Sequence, residues 1–211
     1  MTDPRAPSWP RRGLLLAGAS LLAGCALPLP DKPVRAEPWD LGPLPALRDA
    51  RPVRSLPLAL NAVQAPSAID STRILYRLLY AGSDRQLQPY SRARWLMAPP
   101  QLFEQRLRAV LAGTYPLVDS GTGLERVQLQ VDLEEFAQLF ATPQASEGIV
   151  RIRALAVAPA QGRVLGQRTL VARRPAPTPD AAGGVEALAE ASDQVIAQLL
   201  AWLDELAQQL Q

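Results

Sequence analysis

The only cysteine of this chain of 211 residues stands where a covalent modification is expected. It ends the motif Leu22-Ala23-Gly24-Cys25, which closes an apolar run over residues 14–23. Three arginines and one aspartate precede that run. A basic start, a short apolar run and small residues before a cleavage point make up an export signal. A lone thiol at that point predicts a lipid attachment site.

The first 24 residues resemble a bacterial lipoprotein signal. In that signal the cysteine is diacylated on sulfur, becomes the mature N-terminus and often gains a third acyl chain such as palmitate. Two or three chains, at ~0.8 kcal/mol per buried methylene, anchor a protein stably. A transmembrane anchor or a buried cysteine is the alternative, but a spanning helix needs ~20 apolar residues, about twice this run. The pair Arg11-Arg12 keeps twin-arginine export open beside ordinary secretion.

Missing residue types exclude most catalytic sites. The chain has no histidine, and its one cysteine is assigned to lipid. Ser-His-Asp and Cys-His arrangements therefore cannot form, nor can zinc sites built from histidine or thiolate. An intrachain disulfide is equally excluded. We expect no enzyme activity, no metal and no cofactor beyond the covalent lipid on Cys25.

Two adjacent acidic pairs remain as candidate general acids, Glu134-Glu135 and Asp204-Glu205. Neighbouring side chains on a strand point to opposite faces, and on a helix they diverge by ~100 degrees, so neither pair converges on a substrate. We expect solvated surface carboxylates at both places. The sequence Gly121-Thr122-Gly123 lacks the further glycines and the lysine of a phosphate-binding loop. We expect a hairpin turn there.

The charge that matters is that of the chain left after cleavage. The whole sequence has 22 basic and 20 acidic residues, and residues 1–24 account for the difference, leaving nineteen of each from Cys25 onward. The mature protein is formally neutral. Net charge therefore gives no reason to expect nucleic acid binding or an electrostatic membrane patch.

Proline usage divides the mature chain. Eight prolines fall between Leu27 and Pro57, which is typical of an extended tether. We expect a signal peptide over 1–24, a Pro-rich tether over 25–50 and one α/β domain over 51–211. A short edge strand at 38–42 interrupts the tether in this interpretation, and a fully disordered linker is the alternative. About 185 mature residues suffice for one domain with a proper core.

Hydrophobic periodicity predicts a mostly antiparallel or mixed sheet packed by two main helices. Alternation is clearest over 124–134, where one face is apolar and the other polar. The last helix carries a wide apolar stripe that fits core packing, with a coiled coil as the alternative. Strands are predicted over 52–63, 73–80, 87–95, 114–118, 124–134, 148–157 and 163–173, and helices over 99–112 and 180–210.

The order of these elements and several local motifs resemble one family, the ABC-type transport auxiliary lipoproteins. The resemblance covers almost the whole mature chain. The motifs that carry it are the lipobox at Cys25, Tyr76-Arg77-Leu78, the series from Leu87 through Tyr90 to Arg94-Trp95 and Pro99-Pro100, Leu133-Glu134-Glu135-Phe136, and a late helix ending near Trp202.

The resemblance implies a non-catalytic outer-membrane lipoprotein that faces the periplasm. Its partners would be an MCE-domain protein with an inner-membrane ABC permease and ATPase, which together move lipid or hydrophobic cargo between the membranes. The implied fold is like the N-terminal domain of TolB, and some members of similar families form homo-oligomeric rings. Ala26 is not the aspartate that commonly retains lipoproteins at the inner membrane, which agrees with an outer-membrane address.

Binding, rather than bond-making, is the function these expectations point to. Aromatic residues and arginine are favoured at interface cores, and core packing of Tyr76 and Trp95 is the alternative. A lipid carrier with an apolar cavity of several hundred Å³ and a structural lipoprotein of a secretion machine are the other functions left open. The candidate partner-binding residues are Tyr76, Tyr90, Arg94, Trp95, Pro99 and Pro100.

Overall fold

The computed structural model describes residues 35–43 and 55–210. Cys25, the signal peptide and the predicted boundaries at 24 and 50 lie outside the described residues and stay predictions.

One mixed sheet of eight strands and two helices make up the described chain. This confirms the predicted fold class. Short 3-10 turns occupy Leu79–Ala81 and Pro159–Gln161. The strands are β1 (Glu37–Trp39), β2 (Leu58–Leu60), β3 (Arg73–Leu78), β4 (Gln88–Trp95), β5 (Leu117–Val118), β6 (Val127–Thr142), β7 (Ala145–Ala158) and β8 (Arg163–Pro175), and the helices are α1 (Pro99–Ala112) and α2 (Ala181–Gln209).

The sheet is organised around β6. Along one edge β6 pairs antiparallel with β7, which pairs antiparallel with β8. Its other edge is shared by two parallel partners, since β2 pairs with its start (Leu58 opposite Val127) and β3 with its end (Tyr76 opposite Gln138). The hairpin partner of β3 is β4, and β1 lies parallel beside β4.

A β-bulge explains why β6 extends eight residues beyond its predicted end. The register with β7 shifts between Leu133 and Glu135, and an extra residue in a strand reverses which face the following side chains occupy. The regular alternation therefore stops there, although the strand continues. Phe136 and Gln138 resume on the buried side that Leu133 occupied, because both contact the residues of the core side.

Helix α2 covers the buried side of β6, β7 and β8. Its apolar stripe joins the same core cluster as the sheet, which favours core packing for this helix. The helix begins at a side-chain cap, with the Asp180 carboxylate accepting from the Gly183 N–H at 2.9 Å. Next to it β7 carries Gly148, where an added Cβ would lie 2.7 Å from the backbone of Ala187 and Leu188. Only glycine allows the helix this close to the strand.

The expected hairpin turn at Gly121-Thr122-Gly123 is wrong. Strands β5 and β6 both run parallel to β2 and lie on opposite sides of it, so the segment between them is a crossing loop. The Glu125 carboxylate holds this loop by accepting from the Gly121 N–H at 2.8 Å and from the Thr122 hydroxyl at 3.2 Å. Backbone N–H groups, those of Glu125 itself and Gly121 first, hold its pKa below the usual range.

Strand β1 occupies part of the segment predicted as a tether. It forms at Glu37–Trp39, slightly earlier than the predicted edge strand at 38–42, with Trp39 opposite Trp95. The chain therefore joins the sheet before it reaches residue 51.

The close contact between Gly148 and helix α2 leads to a first prediction. We expect Gly148→Ala to lower the free energy of unfolding by ~2 kcal/mol, because the new methyl overlaps helix backbone that cannot move aside. Gly166→Ala is the matched control. The added Cβ would lie 3.2 Å from the Trp202 ring, and this side chain can shift. Replacing glycine by alanine also lowers the conformational entropy of the unfolded chain, which raises the free energy of unfolding by ~0.4–1 kcal/mol. Urea unfolding measures both, and equal losses would contradict the helix-contact explanation.

Candidate partner-binding surface

Tyr76 and Tyr90 form the centre of a half-buried aromatic cluster on the helix side of the sheet. Their ring centroids are 4.7 Å apart, and Tyr76 also packs edge-on against Phe140 at 5.9 Å. The Tyr76 hydroxyl donates to Gln88 at 3.0 Å. These residues meet because β3 lies between β4 and β6, so one face of three strands presents them together. Each tyrosine ring is therefore partly packed against neighbouring residues and partly exposed to solvent.

A fully buried glutamine completes this cluster. The Tyr90 hydroxyl donates to the Gln138 carbonyl oxygen at 2.8 Å, and the Gln138 amide donates to the Ser146 hydroxyl at 2.8 Å. An added Cβ at Gly184 would fall within 2.1 Å of that oxygen, so Gln138 also supports the first turn of α2. Burial first, and then the nearby Tyr76 and Asp180, raise the pKa of Tyr90 well above its usual range. The phenol is therefore a stable neutral donor.

The Arg94 side chain forms hydrogen bonds within its own strand, β4. Its guanidinium donates to the backbone carbonyls of Tyr90 and, at 2.9 Å, Ala93. The register between β3 and β4 is irregular at this point, and an irregular ladder leaves carbonyls without strand partners. Arg94 adds two donors to the carbonyls of β4 at this irregular point. It is half-buried, and its charge remains at the surface of β4.

Trp95, Pro99 and Pro100 are buried. Trp95 packs edge-on against Phe136, with ring centroids 5.6 Å apart, and the two prolines open α1, where a missing N–H costs nothing. Their burial agrees with the core-packing alternative for Trp95. A direct role of these three residues in binding a partner stays a prediction.

Between them the chain turns Leu96 outward. Its side chain is 61% exposed, because the backbone N–H of Leu96 donates to Trp39 of β1 at 2.7 Å and fixes the turn. Met97 follows half-buried, with its sulfur 4.0 Å from the Gln105 amide. The accessible part of the predicted Trp95–Pro100 region is therefore Leu96 and Met97.

A shallow cleft lies close to Leu96 in the chain, where the segment after β1 meets α1. Its volume is about 180 Å³. Its lining is mixed, with polar and apolar side chains, and its size fits a side chain of a partner better than a lipid tail, whose site would need several hundred Å³. The lining residues are Asp40, Leu41, Gly42, Leu102, Gln105 and Arg106. We call these residues together with Leu96 and Met97 the corner surface.

Arg106 is the residue that builds this cleft, and the sequence analysis missed it. The buried guanidinium forms a two-pronged ion pair with Asp193 of α2, at 2.5 and 2.8 Å. The same group donates to the backbone carbonyls of Leu41, Gly42 and Pro43 at 3.1 to 3.3 Å. It therefore fastens the segment after β1 to both helices. The available signal was an arginine directly before Leu107, inside the apolar stripe of α1.

The acidic pairs are engaged in ion pairs or hydrogen bonds. Glu134 and Glu135 face Arg153 and Arg151 at 3.5 and 3.4 Å. Asp204 accepts from the Tyr115 hydroxyl at 2.7 Å, and Glu205 pairs with Arg168 at 3.1 Å. Within residues 35–43 and 55–210, no three acidic, cysteine or histidine side chains converge as metal ligands would.

The family comparison assigns this chain to a family. Residues 39–200 match the family model described as "ABC-type transport auxiliary lipoprotein component". The chain belongs to this family. The match runs from β1 to the middle of α2, so it includes the corner surface and the aromatic cluster. The resemblance seen in the sequence is thereby confirmed, and with it a transport-associated, membrane-anchored lipoprotein class.

Solved structures share the fold of this family member. Protein XCC0632 from Xanthomonas campestris, assigned to the family model DUF330, aligns with a TM-score of 0.64 at 24% identity, covering 76% of this chain and 93% of that one. An uncharacterized protein aligns at 0.61 with 16% identity over 80% and 99%. The hypothetical protein CT253 from Chlamydia trachomatis aligns at 0.51 with 6% identity over 73% and 98%.

The comparison with curated proteins found no match to this auxiliary lipoprotein. In the part of the chain that the structure describes, neither helix is apolar and long enough to span a bilayer.

Arg106 and Arg108 lie on the same helix but differ in burial, and this difference leads to the second prediction. We expect Arg106→Met to lower the free energy of unfolding by ~2 kcal/mol or more, because it leaves Asp193 and three backbone carbonyls without their donor. Arg108→Met should cost less, ~0.5–1 kcal/mol, since its ion pair with Glu104 is half-exposed and its contact with the Leu60 carbonyl is long, at 3.4 Å. The exposed fractions of the two arginine side chains are 6% and 45%. Urea unfolding followed by tryptophan fluorescence compares them, and similar losses would refute the role given to Arg106.

Proposed function

We propose that this protein is a non-catalytic adaptor, anchored by lipid on Cys25 to the periplasmic face of the outer membrane. It works with an MCE-domain protein, an ABC permease and an ATPase that move lipid or hydrophobic cargo between the membranes. The observation that carries the proposal is the family match over residues 39–200, which follows a lipoprotein-type cysteine at residue 25.

The chemistry of the described surface supports binding over catalysis. A general acid or base needs a perturbed carboxylate or a histidine placed at a reacting atom. The sequence has no histidine, and the two acidic pairs that were candidates are joined to arginine or tyrosine partners. Their role is to hold strands and helices together.

The corner surface is the proposed docking site for the partner protein. An exposed leucine beside a small cleft offers an apolar anchor point, and the cleft adds a buried arginine and backbone groups that are fixed before binding. Interfaces of this type depend on a few anchored residues inside a polar rim. Tyr76, Tyr90, Arg94, Trp95, Pro99 and Pro100 act in this proposal mainly by fixing the shape of β4 and the turn that follows it.

Over residues 35–43 and 55–210, the contacts between sheet and helix do not favour a lipid carrier. A carrier of this fold would open an apolar cavity between sheet and helix, of several hundred Å³. At Gly148 strand and helix are instead in direct contact. The cleft of the corner surface holds about 180 Å³ and is partly polar.

A pull-down tests the partner proposal. A photo-crosslinking amino acid replaces Leu96 in the tagged full-length protein, and proteins and lipids recovered from membranes are identified by mass spectrometry. We expect crosslinks to an MCE-domain protein and co-purification of its permease and ATPase. The control places the crosslinker at Glu190, on the exposed face of α2, where no such crosslink should form.

Other recoveries would overturn the adaptor proposal. Lipid without any transporter subunit would favour a carrier, and secretion or pilus components would favour an assembly role. Equal crosslinking at residues 96 and 190 would reject the corner surface while leaving the partner in place.

The anchor makes a separate prediction. Cys25→Ala removes the only sulfur that can be acylated, so we expect the N-terminal peptide to lack its lipid mass and the protein to leave the membrane fraction. Ala26→Asp keeps the acylation site and introduces the residue that commonly retains lipoproteins at the inner membrane. We expect it to move the acylated protein from outer-membrane to inner-membrane vesicles in a density gradient. An unchanged distribution would argue against the outer-membrane address.

A further inference from the structure

The formal neutrality of the mature chain conceals a local excess of positive charge. Between Asp70 and Leu96 the sequence has five arginines and two aspartates. This stretch forms the β3–β4 hairpin, at the side of the sheet where the chain enters through β1. The arginines are Arg73, Arg77, Arg85, Arg92 and Arg94.

Strand geometry gathers several of these arginines on the face away from the helices. Arg77 follows Tyr76 of the aromatic cluster, so it points to the opposite face of β3, and Arg94 follows the buried Ala93 and points away from the core. Arg94 lies directly across from Arg73 in the register of the two strands. Arg85 and Arg92 are exposed at the hairpin end and along β4.

These charges differ from three arginines of β7 and β8 that are paired with carboxylates, whereas Arg163 and Arg174 of β8 share the lack of an ion pair among the described residues. Over β6, β7 and β8 the ion pairs Arg153–Asp132, Arg151–Glu135 and Arg173–Glu147 neutralise the surface, with distances of 2.8, 3.4 and 2.6 Å. Among the described residues, the five hairpin arginines have no carboxylate within ion-pair distance.

An exposed apolar pair stands at the tip of the same hairpin. Leu79 and Tyr80 are 41% and 47% exposed, in a short 3-10 turn. The turn is held by two side chains, because Arg77 donates to the Asp84 carbonyl at 3.1 Å and Ser83 donates to the Leu78 carbonyl at 3.2 Å. A fixed apolar tip with a tyrosine, flanked by arginines, fits the interfacial region of a bilayer.

The described chain enters the sheet beside this hairpin, through β1. Strand β1 runs parallel to β4, with Glu37 opposite Ala93 and Trp39 opposite Trp95. Within β1, Glu37 therefore lies nearer to the hairpin tip than Trp39 does. Nine residues separate Cys25 from Arg35, and the ten Cα–Cα steps between them span at most about 36 Å when fully extended.

We propose that the β3–β4 hairpin is a membrane-contact surface, in which its arginines bind anionic phospholipid headgroups and Leu79 and Tyr80 enter the interface. This rests on the proposed anchor at Cys25. Contact at the tip would orient the domain, so that the corner surface at the opposite end of β4 faces away from the bilayer.

The test measures contact on the mature, acylated protein in vesicles. With Cys25 acylated, Asp84→Cys at the tip gives a single thiol for a fluorescent label, and Gln161→Cys in the turn at the opposite end of the sheet is its control. Quenching by brominated lipid reports contact with the bilayer. We expect quenching at residue 84 and none at 161 in vesicles that contain phosphatidylglycerol. We expect it to be lost in pure phosphatidylcholine and in ~1 M salt, where the Debye length falls to ~3 Å.

A charge variant tests the arginines themselves. Arg85→Gln with Arg92→Gln should abolish the quenching, because neither side chain forms a hydrogen bond or ion pair recorded among the described residues and the fold is expected to persist. Arg163→Gln with Arg174→Gln makes the same change in net charge on β8 and should leave the quenching intact.

Four outcomes overturn the proposal. The label at residue 84 shows no quenching, the labels at residues 84 and 161 are quenched equally, or the quenching is unchanged by salt, by lipid charge and by the arginine substitutions. The fourth is a tip that crosslinks to protein in cells but does not contact lipid in vesicles. The mass of the N-terminal peptide reports acylation independently. A missing anchor is thus distinguished from a missing headgroup contact.

Discussion

Strand β6 is 16 residues long and pairs with other strands along both of its edges, and the rest of the fold depends on this pairing. One edge is uniform, because β7 follows it throughout. The other edge is divided between β2 and β3, which arrive from different parts of the chain and both run parallel to β6. The bulge near Leu133 lies between these two partners. It allows Leu133 and Phe136 to share the core although their spacing is odd.

Polar contacts at two buried points then fix the layers against each other. Gln138 joins β4 and β7 through Tyr90 and Ser146 and lies against the first turn of α2. Arg106 joins α1 to α2 and holds the carbonyls that follow β1. Buried polar groups of this kind are expensive to leave unpaired, so each contact selects one arrangement. The second contact ties the segment that follows β1 to both helices.

The two ends of β4 differ in chemistry, and this difference unites the two proposals. Its first end follows a hairpin tip with arginines, a leucine and a tyrosine. Its last end leads into Leu96 and the cleft beside α1. A short rigid domain with a membrane-contacting end and a protein-binding end can act as an adaptor without any moving part or catalytic group.

The sequence by itself determined the elements and the family, because alternation and helical stripes are local patterns and the motifs from Tyr76 to Pro100 are contiguous. It located β3, β4, α1, β7, β8 and α2 to within a few residues. Three features were decided only by tertiary structure. The Gly121 loop crosses between parallel strands because β2 lies between β5 and β6. The burial of Trp95, Pro99 and Pro100 depends on α1 and β6. The pairing of Arg106 with Asp193, 87 positions apart, exists only where two helices meet, since no local pattern records a contact between distant residues.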